Sequence, residues 1–504
     1  MTKTNDPLAS EGEIPQKSLQ QAAARGITAT LMAQGCRFVL QFASIPILAR
    51  LLSPSDFGLV AMVLAIIGVA EILRDFGLST AAIQSRTLSN NEKTNLFWAN
   101  SAIGFACACL VCALSPIVSL IYDDARLTGV TLALSAVFVL NGMAAQFIAD
   151  INREMRFWLL SAVDLVPQLV ALSVALLFAF GGAGFWALVA QQLAVASIAL
   201  ILAVCLSRFW PGLPDRGTSI SKFFRFGGSL VGTRFMSYAA QNVDNIALGV
   251  AFGPVQLGFY SRAYQLLMLP LQQIAVPTSR VAIPVLSRIQ DYDARFQAAV
   301  RKAQLVGLYL TAPLFAFLAG LSGPIVSIVF GSGWHPVADI FAILAIGGIF
   351  RVLVQISYWI FVSRGRTFSQ FVLYAWTQPL ICGALVVGCF WGTIGVSVAH
   401  SASYFAFWIV AMLFAGRAAT IPVRNLFGDA IICLLLIALP VGIIAAASAH
   451  FVDQAAFAIF VGVLTCVVYV ALIALVSRRA RTDLSTILQF VRQAAGRKGI
   501  KVGK

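Results

Sequence analysis

Charged side chains lie inside long apolar stretches of this sequence, where a charge is costly. Insertion scales put that cost at about 2.5–3.5 kcal/mol at the centre of a spanning helix, so such a group usually faces a cavity or a partner. Every cation of this kind is an arginine, and none is a lysine. The charged residues concerned are Arg37, Glu71, Arg74, Asp75, Arg234, Asp244, Arg262 and Arg351. They are the first places to look for ligand binding.

Arginine suits a phosphorylated ligand in such surroundings. Its guanidinium group binds phosphate oxygens in pairs and stays protonated where water is scarce. Arg37 and Arg234 each stand in a Gly-x-Arg-Phe sequence, and a glutamine follows each of them. An amide side chain can hydrogen-bond a sugar hydroxyl or a neighbouring helix. The predicted substrate-binding residues are Arg37, Arg234, Arg351, Arg262, Gln41 and Gln241.

Structural roles compete with ligand binding at several of these positions. Arg37 and Arg234 could instead pair with Asp244 or with a carbonyl group at a helix end. The two glutamines could join neighbouring helices. Arg262 could extend its apolar stem toward the membrane interface. The sequence leaves these alternatives open.

A second group of residues is predicted to act in gating or in ion coupling. Glu71 and Arg74 are three positions apart, and Asp75 is four positions from Glu71, so on a helix the three share a face. That spacing favours internal ion pairing or gating between lobes, while substrate contact and coupling to protons or sodium stay open. The residues assigned to gating or ion coupling are Glu71, Arg74, Asp75 and Asp244.

The sequence indicates no metal, cofactor or nucleic acid. All nine cysteines lie in or beside apolar runs, and the group Cys107, Cys109 and Cys112 has no histidine or carboxylate beside it. These cysteines are therefore interpreted as packing residues. The formal charge of +15 is not gathered in one segment with interleaved aromatic residues, as a nucleic-acid surface would require.

The elements that carry these charges are predicted to be membrane-spanning helices. The chain is 60% hydrophobic and only 11% charged, and its mean hydropathy is +0.88. Its apolar runs are continuous, whereas barrel strands would alternate polar and apolar residues. The runs predict about fourteen spans, near 29–50, 57–83, 95–121, 127–149, 158–180, 184–206, 223–250, 257–283, 303–329, 337–362, 368–390, 393–416, 428–449 and 454–476.

The distribution of basic residues predicts the orientation of these spans. Alternate loops are rich in lysine and arginine, while the opposite set contains only Arg50 and Arg126. Basic loops are usually cytoplasmic, so both termini are predicted to lie in the cytoplasm and the number of spans to be even. The outer loops, such as 331–336, are too short to hold a folded domain.

The chain is predicted to be an internal duplication. Pro54 and Gly58 open the second span, and Pro254 and Gly258 recur at a matching place 200 residues later. Two halves of six spans would have substrate sites between them. The predicted regions are a cytoplasmic N-terminal segment (1–28), an N-lobe (29–207), a cytoplasmic linker (208–222), a C-lobe (223–416), two further spans (417–477) and a basic cytoplasmic tail (478–504). The tail is expected to lie along anionic lipid.

The stretches 47–86 and 242–290 resemble polysaccharide transporters of the Wzx type. The likeness is to the exopolysaccharide, colanic-acid-like subgroup of the multidrug/oligosaccharidyl-lipid/polysaccharide exporter superfamily, and it extends over 29–477. It implies an all-α polytopic membrane protein, with two six-helix lobes in a V shape and two C-terminal helices. By this resemblance, the last two helices would help to form a groove for a polyprenyl tail.

The function that the resemblance implies is a flippase, not an enzyme. It would move undecaprenyl-pyrophosphate-linked oligosaccharide repeat units from the cytoplasmic to the periplasmic leaflet of a bacterial inner membrane by alternating access. Its product would serve exopolysaccharide or lipopolysaccharide biosynthesis, with membrane lipids, a polysaccharide polymerase and export machinery as partners. The alternatives are a cation-coupled multidrug exporter of the same superfamily and a membrane polysaccharide polymerase, for which Asp123 and Asp124 are the only acidic candidates.

Overall fold

A computed structural model describes residues 16–74, 77–85, 88–477, 479 and 481. Within these helices the side chains of 16–31, 80, 84, 222, 225–237, 239–240, 275–277 and 280 lie outside the description. The regular structure of the described residues is helical throughout. Helices are expected here, because an apolar chain in a bilayer must satisfy its backbone hydrogen bonds within the segment. The predicted all-α membrane class is confirmed.

The chain divides into two compact units, which are described separately. Unit 1 takes in parts of Met1–Leu52 and Val63–Ala239, and unit 2 takes in Ser53–Met62 and parts of Ala240–Lys504. The region boundaries predicted from the sequence stay a prediction.

Unit 1 is built from seven helices and the beginning of an eighth. These are α1 (Gln16–Leu51), the later part of α2 (Pro54–Arg74), α3 (Leu78–Gln84), α4 (Asn90–Tyr122), α5 (Arg126–Arg153), α6 (Phe157–Phe180), α7 (Trp186–Leu206) and the first part of α8 (Ser221–Arg288). Helix α4 begins with a capping box: the Ser89 hydroxyl accepts from the Glu92 N–H, and the Glu92 carboxylate accepts from the Ser89 N–H at 2.8 Å.

The loop predicted as a linker, 208–222, is hydrogen-bonded to the start of α4 in unit 1. The Asn95 amide group donates to the carbonyl oxygens of Asp215 and Thr218, at 2.7 and 2.9 Å, and accepts from the Asp215 N–H. The indole of Trp98 donates to the Gly212 carbonyl oxygen at 2.9 Å. Donors from Thr218, Gly217 and Asn91 hold the pKa of Asp215 below its usual value.

Unit 2 contains the remaining helices. They are the later part of α8, α9 (Asp293–Gly320), α10 (Ser322–Val329), α11 (His335–Ser363), α12 (Thr367–Gly388), α13 (Gly392–Ala419), α14 (Arg424–Cys433), α15 (Leu439–Phe451) and α16 (Ala455–Val476), with a π-helical stretch, Leu434–Ala438, between α14 and α15. Helix α8 is broken at Gly253, where φ is 74° and ψ is −174°. Pro254 follows the break, in a position where proline suits the start of a helix.

Eleven stretches of the described residues are long and apolar enough to cross a membrane. One of them, Thr367–Ala419, contains the two helices α12 and α13, separated by a turn at Cys389–Trp391. Helix α8 is not among the eleven, and Gly253 divides it into two helical segments. The count of fourteen spans stays a prediction.

The two Pro–Gly segments identified in the sequence contact each other inside unit 2. A Cβ atom placed on Gly58 would lie 1.7 Å from the Pro254 carbonyl oxygen, and one placed on Gly258 would lie 2.0 Å from that of Pro54. The contact is therefore reciprocal, with each glycine facing the other segment's proline. Reciprocity of this kind is expected of two related segments packed about a local two-fold axis.

Candidate functional site

A buried carboxylate lies at the centre of a polar cluster in unit 2. Asp244, on α8, is only 3% exposed. Its Oδ2 atom accepts a hydrogen bond of 2.7 Å from the Tyr260 hydroxyl, and its Oδ1 atom accepts from the Asn245 N–H at 2.9 Å. Tyr260 is fully buried. The helix break at Gly253 separates Asp244 from Tyr260 along the chain, so the hydrogen bond joins the two segments of α8.

The positive member of this cluster is Arg351, on α11. Its Nη1 donates to the Tyr264 hydroxyl at 2.8 Å. The guanidinium carbon lies 4.6 Å from the ring centroid of Tyr404 and 5.7 Å from that of Tyr264, which are cation–π distances. Arg351 also interacts electrostatically with Asp244. The structure thus places two of the predicted residues, one basic and one acidic, in one network.

His400 completes the cluster from α13. Its ring lies 4.8 Å from the Tyr404 ring and 5.7 Å from the Tyr264 ring. The side chain is buried, and neither ring nitrogen has a hydrogen-bond partner among the described residues. His400 therefore packs as a buried ring against the two tyrosines of this cluster.

Arg262 lies apart from this cluster, beside the Pro–Gly contact. Its guanidinium carbon is 4.5 Å from the centroid of the Phe57 ring. Phe57 also packs edge to face against Trp334 at 5.5 Å. The Nε of Arg262 is buried and has no hydrogen-bond partner in the described part of the chain. These contacts favour a structural role for Arg262 at the start of α2.

In unit 1, three polar residues of α1 lie on one side of the helix and are exposed. Gln34, Arg37 and Gln41 are all exposed, and their spacing of three and seven positions puts them on the same side of the helix. Helix α1 packs against α6, where Asp164 is exposed and interacts electrostatically with Arg37. A guanidinium group that is exposed in the middle of an apolar helix needs water or a polar ligand beside it.

The second charged group of unit 1 lies near the end of α2. Glu71 interacts electrostatically with Tyr238, whose hydroxyl donates to the Leu64 carbonyl oxygen at 2.9 Å. The Tyr238 ring lies directly on Gly68, where a Cβ atom would be 1.9 Å from the hydroxyl oxygen. Arg74 ends α2. These contacts fix the α2 segment against α8 within unit 1.

Three of the predicted residues add little to this picture. Asp75 lies outside the described residues, and so does the side chain of Arg234, although its position falls within α8. Gln241 is exposed on the same helix. Their roles in gating and substrate binding stay predictions.

Sequence reasoning missed Tyr404 and a buried acid on α14, Asp429. Tyr404 stands one helical turn after His400, which is a weak signal in a chain this rich in aromatic residues. Asp429 binds Arg301, which is 128 positions away, with Nε to Oδ2 at 2.5 Å and Nη2 to Oδ1 at 2.9 Å. Arg479 binds the same carboxylate. No cluster of three or more metal-ligating side chains occurs among the residues that the structure describes.

Comparison with known proteins identifies relatives over most of the chain. The profile of a family described as "Polysaccharide biosynthesis protein" matches residues 47–339, which is more than half of the 504 residues. The "Lipopolysaccharide biosynthesis protein WzxC" of Escherichia coli (strain K12) is 25% identical over 359 residues, covering 70% of this chain and 72% of the relative. The "Succinoglycan biosynthesis transport protein ExoT" of Rhizobium meliloti (strain 1021) is 25% identical over 325 residues, 64% of this chain and 65% of the relative.

A third relative and two solved structures extend the comparison. The "Teichuronic acid biosynthesis protein TuaB" of Bacillus subtilis (strain 168) is 24% identical over 299 residues, 59% of this chain and 62% of its own length. The lipid II flippase MurJ, in an inward closed conformation, superposes with a TM-score of 0.65 and 14% identity, over 90% of this chain and 99% of MurJ. An inward-facing multidrug resistance MATE family transporter gives a TM-score of 0.60 and 12% identity, over 76% and 94%. The likenesses to these two solved structures show the fold.

Proposed function

Because the chain belongs to the family of polysaccharide biosynthesis proteins, we propose that it flips a lipid-linked oligosaccharide across the bacterial inner membrane. The resemblance noted in the sequence is confirmed at the level of the family. ExoT is named as a transport protein, MurJ as a flippase and the MATE protein as a transporter. The chain is therefore a multi-pass membrane transporter and not an enzyme. Its cargo would be an undecaprenyl-pyrophosphate-linked repeat unit, moved to the periplasmic leaflet by alternating access.

The observation that carries this proposal is the exposed polar face of α1 in unit 1. Arg37 offers a guanidinium group to a pyrophosphate, and Gln34 and Gln41 offer amide groups to sugar hydroxyls one turn away on either side. Asp164 interacts electrostatically with Arg37. An anionic cargo would then compete with Asp164 for the same guanidinium group.

The buried cluster of unit 2 is better suited to energy coupling than to cargo. Arg351 already has Tyr264, Tyr404 and the charge of Asp244 as partners. A proton or a sodium ion that bound Asp244 would change the net charge of this enclosed network by one unit, which is a large perturbation in a poorly hydrated interior. We propose Asp244 as the coupling residue. Transport that is insensitive to both ion gradients would contradict this assignment.

The orientation and the partners of the protein are part of the proposal. From the basic loops we infer that both termini lie in the cytoplasm. The polymerase and export machinery that use the repeat unit would act on the periplasmic side, and their consumption of the product could give transport its direction.

The test is translocation of a fluorescent undecaprenyl-pyrophosphate oligosaccharide in proteoliposomes. The wild type should be active, and Arg37→Ala and Arg234→Ala should each lose at least about tenfold in rate, since a charge-assisted hydrogen bond is worth about 1.5–3 kcal/mol. Arg126→Ala is the matched control. Arg126 begins α5 beside a short loop, and its Nη2 atom pairs with Oδ2 of Asp124 at 2.6 Å. If the Arg37 and Arg234 variants transport at the wild-type rate, the predicted binding site is wrong, while the proposed flippase function still stands.

Multidrug export is the second candidate, favoured by the fold likeness to a MATE transporter. Such an exporter would need an acidic cavity for cationic drugs, whereas the exposed polar face of α1 carries an arginine. The same proteoliposomes separate the two functions. Efflux of a cationic dye, with no movement of any lipid-linked sugar, would establish export and refute the flippase.

A further inference from the structure

A groove in unit 2 is lined by none of the residues predicted to bind substrate or to act in gating. Its first wall is one face of the first turns of α9, where Ala294, Gln297, Ala298 and Arg301 recur at helical spacing. Its second wall is the segment around Asn425 at the start of α14. The groove has a volume of about 240 Å³ and is open on one side. We propose that this groove binds the phosphate group of an anionic membrane lipid.

The positive charge that would bind a phosphate comes from two arginines that both form ion pairs with one buried carboxylate. Arg301 and Arg479 both bind Asp429, whose side chain is 1% exposed, while the two arginine side chains are 42% and 45% exposed. One carboxylate neutralises only one guanidinium group, so the trio carries a net charge of +1. Asp429 also fixes the plane of the Arg301 guanidinium group through two hydrogen bonds. A fixed guanidinium group at the wall of a groove is suited to binding phosphate oxygens.

The start of α14 adds to the positive potential at the same place. Asn425 lies in the first turn of this helix, where backbone N–H groups point outward and the helix dipole is positive. The neighbouring basic residues Lys302 and Arg424 are exposed. The anion would therefore meet a positive field from both walls of the groove.

The remaining lining of the groove indicates a lipid rather than a soluble anion. Ala294, Ala298 and Pro422 are apolar and exposed, so a ligand with a polar head and an apolar glycerol ester would be matched along the groove. Both walls follow loops of the basic set, which are assigned to the cytoplasmic side. Anionic lipid in that leaflet attracts basic residues, at about 1 kcal/mol for each one near the surface.

The experiment measures binding of short-chain phosphatidylglycerol to the purified full-length protein, with phosphatidylcholine and inorganic phosphate as separate arms. Ala298→Glu would place a carboxylate in the groove from an exposed position, and Ala298→Gln adds the same bulk without the charge. We expect Ala298→Glu to weaken phosphatidylglycerol binding about fivefold relative to Ala298→Gln, as loss of one surface charge interaction predicts. Asn425→Asp should act in the same direction. Asn90→Asp, an identical change at the exposed start of α4, should have no effect.

The outcomes separate the sources of the phosphate. A lipid site is supported if the protein binds phosphatidylglycerol more tightly than both other ligands and if Ala298→Glu binds it more weakly than Ala298→Gln does. Competition by inorganic phosphate at a similar concentration would support the phosphate chemistry while removing the lipid from the proposal. Equal binding by wild type, Ala298→Glu and Asn425→Asp would overturn it, as would equal weakening by Ala298→Glu and Ala298→Gln.

Discussion

The reciprocal Pro–Gly contact predicts that a single methyl group will destabilise unit 2. In Gly58→Ala, the new Cβ would lie 1.7 Å from the Pro254 carbonyl oxygen, and in Gly258→Ala it would lie 2.0 Å from that of Pro54. An ordinary contact needs roughly 1.5–2 Å more, and both opposing groups are backbone, which cannot rotate away as a side chain can. Small residues are what allow helices to approach this closely in membranes.

The magnitude follows from the cost of overpacking. Extra methyl groups in a packed interior cost about 1–3 kcal/mol, and a backbone-to-backbone clash belongs at the upper end of that range. For a chain of 504 residues, whose unfolding entropy is about 1 kcal/mol/K, we expect the apparent melting temperature of Gly58→Ala to fall by roughly 2–3 °C. The aromatic contacts of Phe57 and Trp334 next to the crossing would be displaced with it.

The assay is thermal unfolding of the detergent-purified variants, followed by intrinsic fluorescence and by loss of the monodisperse peak in size-exclusion chromatography. Gly383→Ala is the matched control. Gly383 lies within α12 and a Cβ atom there would meet nothing within 4 Å, so alanine should leave stability unchanged or raise it by up to about 1 kcal/mol. The double variant Gly58→Ala/Gly258→Ala tests reciprocity: once the first methyl group has separated the segments, the second should cost less than it does alone.

A Gly58→Ala protein that melts with the wild type would show that the two segments are not in backbone contact. Fully additive losses in the double variant would show that the two glycines lie in separate contacts, and the idea of a local two-fold axis would have to be abandoned.

Two further predictions concern charges. Arg351→Ala should destabilise the protein by about 2–3 kcal/mol, since it removes the charge-assisted hydrogen bond to Tyr264 and the cation–π contact with Tyr404. Because Arg351 also interacts electrostatically with Asp244, Arg351→Ala/Asp244→Asn should recover part of this loss in the same melting assay. No recovery would mean that the two charges are not coupled. The pKa of Asp215 is lowered in the folded state, so its contribution to stability is fully present above the unfolded value of about 3.9 and is lost as pH falls through the lower folded value. Asp215→Asn should therefore melt below the wild type at pH 6, and this difference should shrink as the pH is lowered below about 4. A difference that stays constant over that range would contradict the assignment.

The sequence predicted well those features that depend on composition or on local spacing. Continuous apolar runs predicted the helical class, because a helix satisfies its backbone hydrogen bonds within the segment, whereas barrel strands would alternate polar and apolar residues. Arg351 and Asp244 were identifiable because a charge in an apolar run is unusual. The sequence could not show which distant residues contact each other. The pairing of Arg301 with Asp429 spans 128 positions, and the contact of Tyr404 with Arg351 depends on how α11 packs against α13.

The burial of the arginines argues for different tasks in the two units. Arg351 has a hydroxyl partner, two aromatic rings and a carboxylate nearby, so a pyrophosphate would have to break an established network to bind it. Arg37 is exposed, and its electrostatic partner Asp164 is exposed as well, so cargo can replace that interaction without opening a packed interior. The residue types are the same at both positions, and only their surroundings distinguish them. A guanidinium group that is to bind and release cargo should be the one with the weaker existing interactions, which of Arg37 and Arg351 is Arg37.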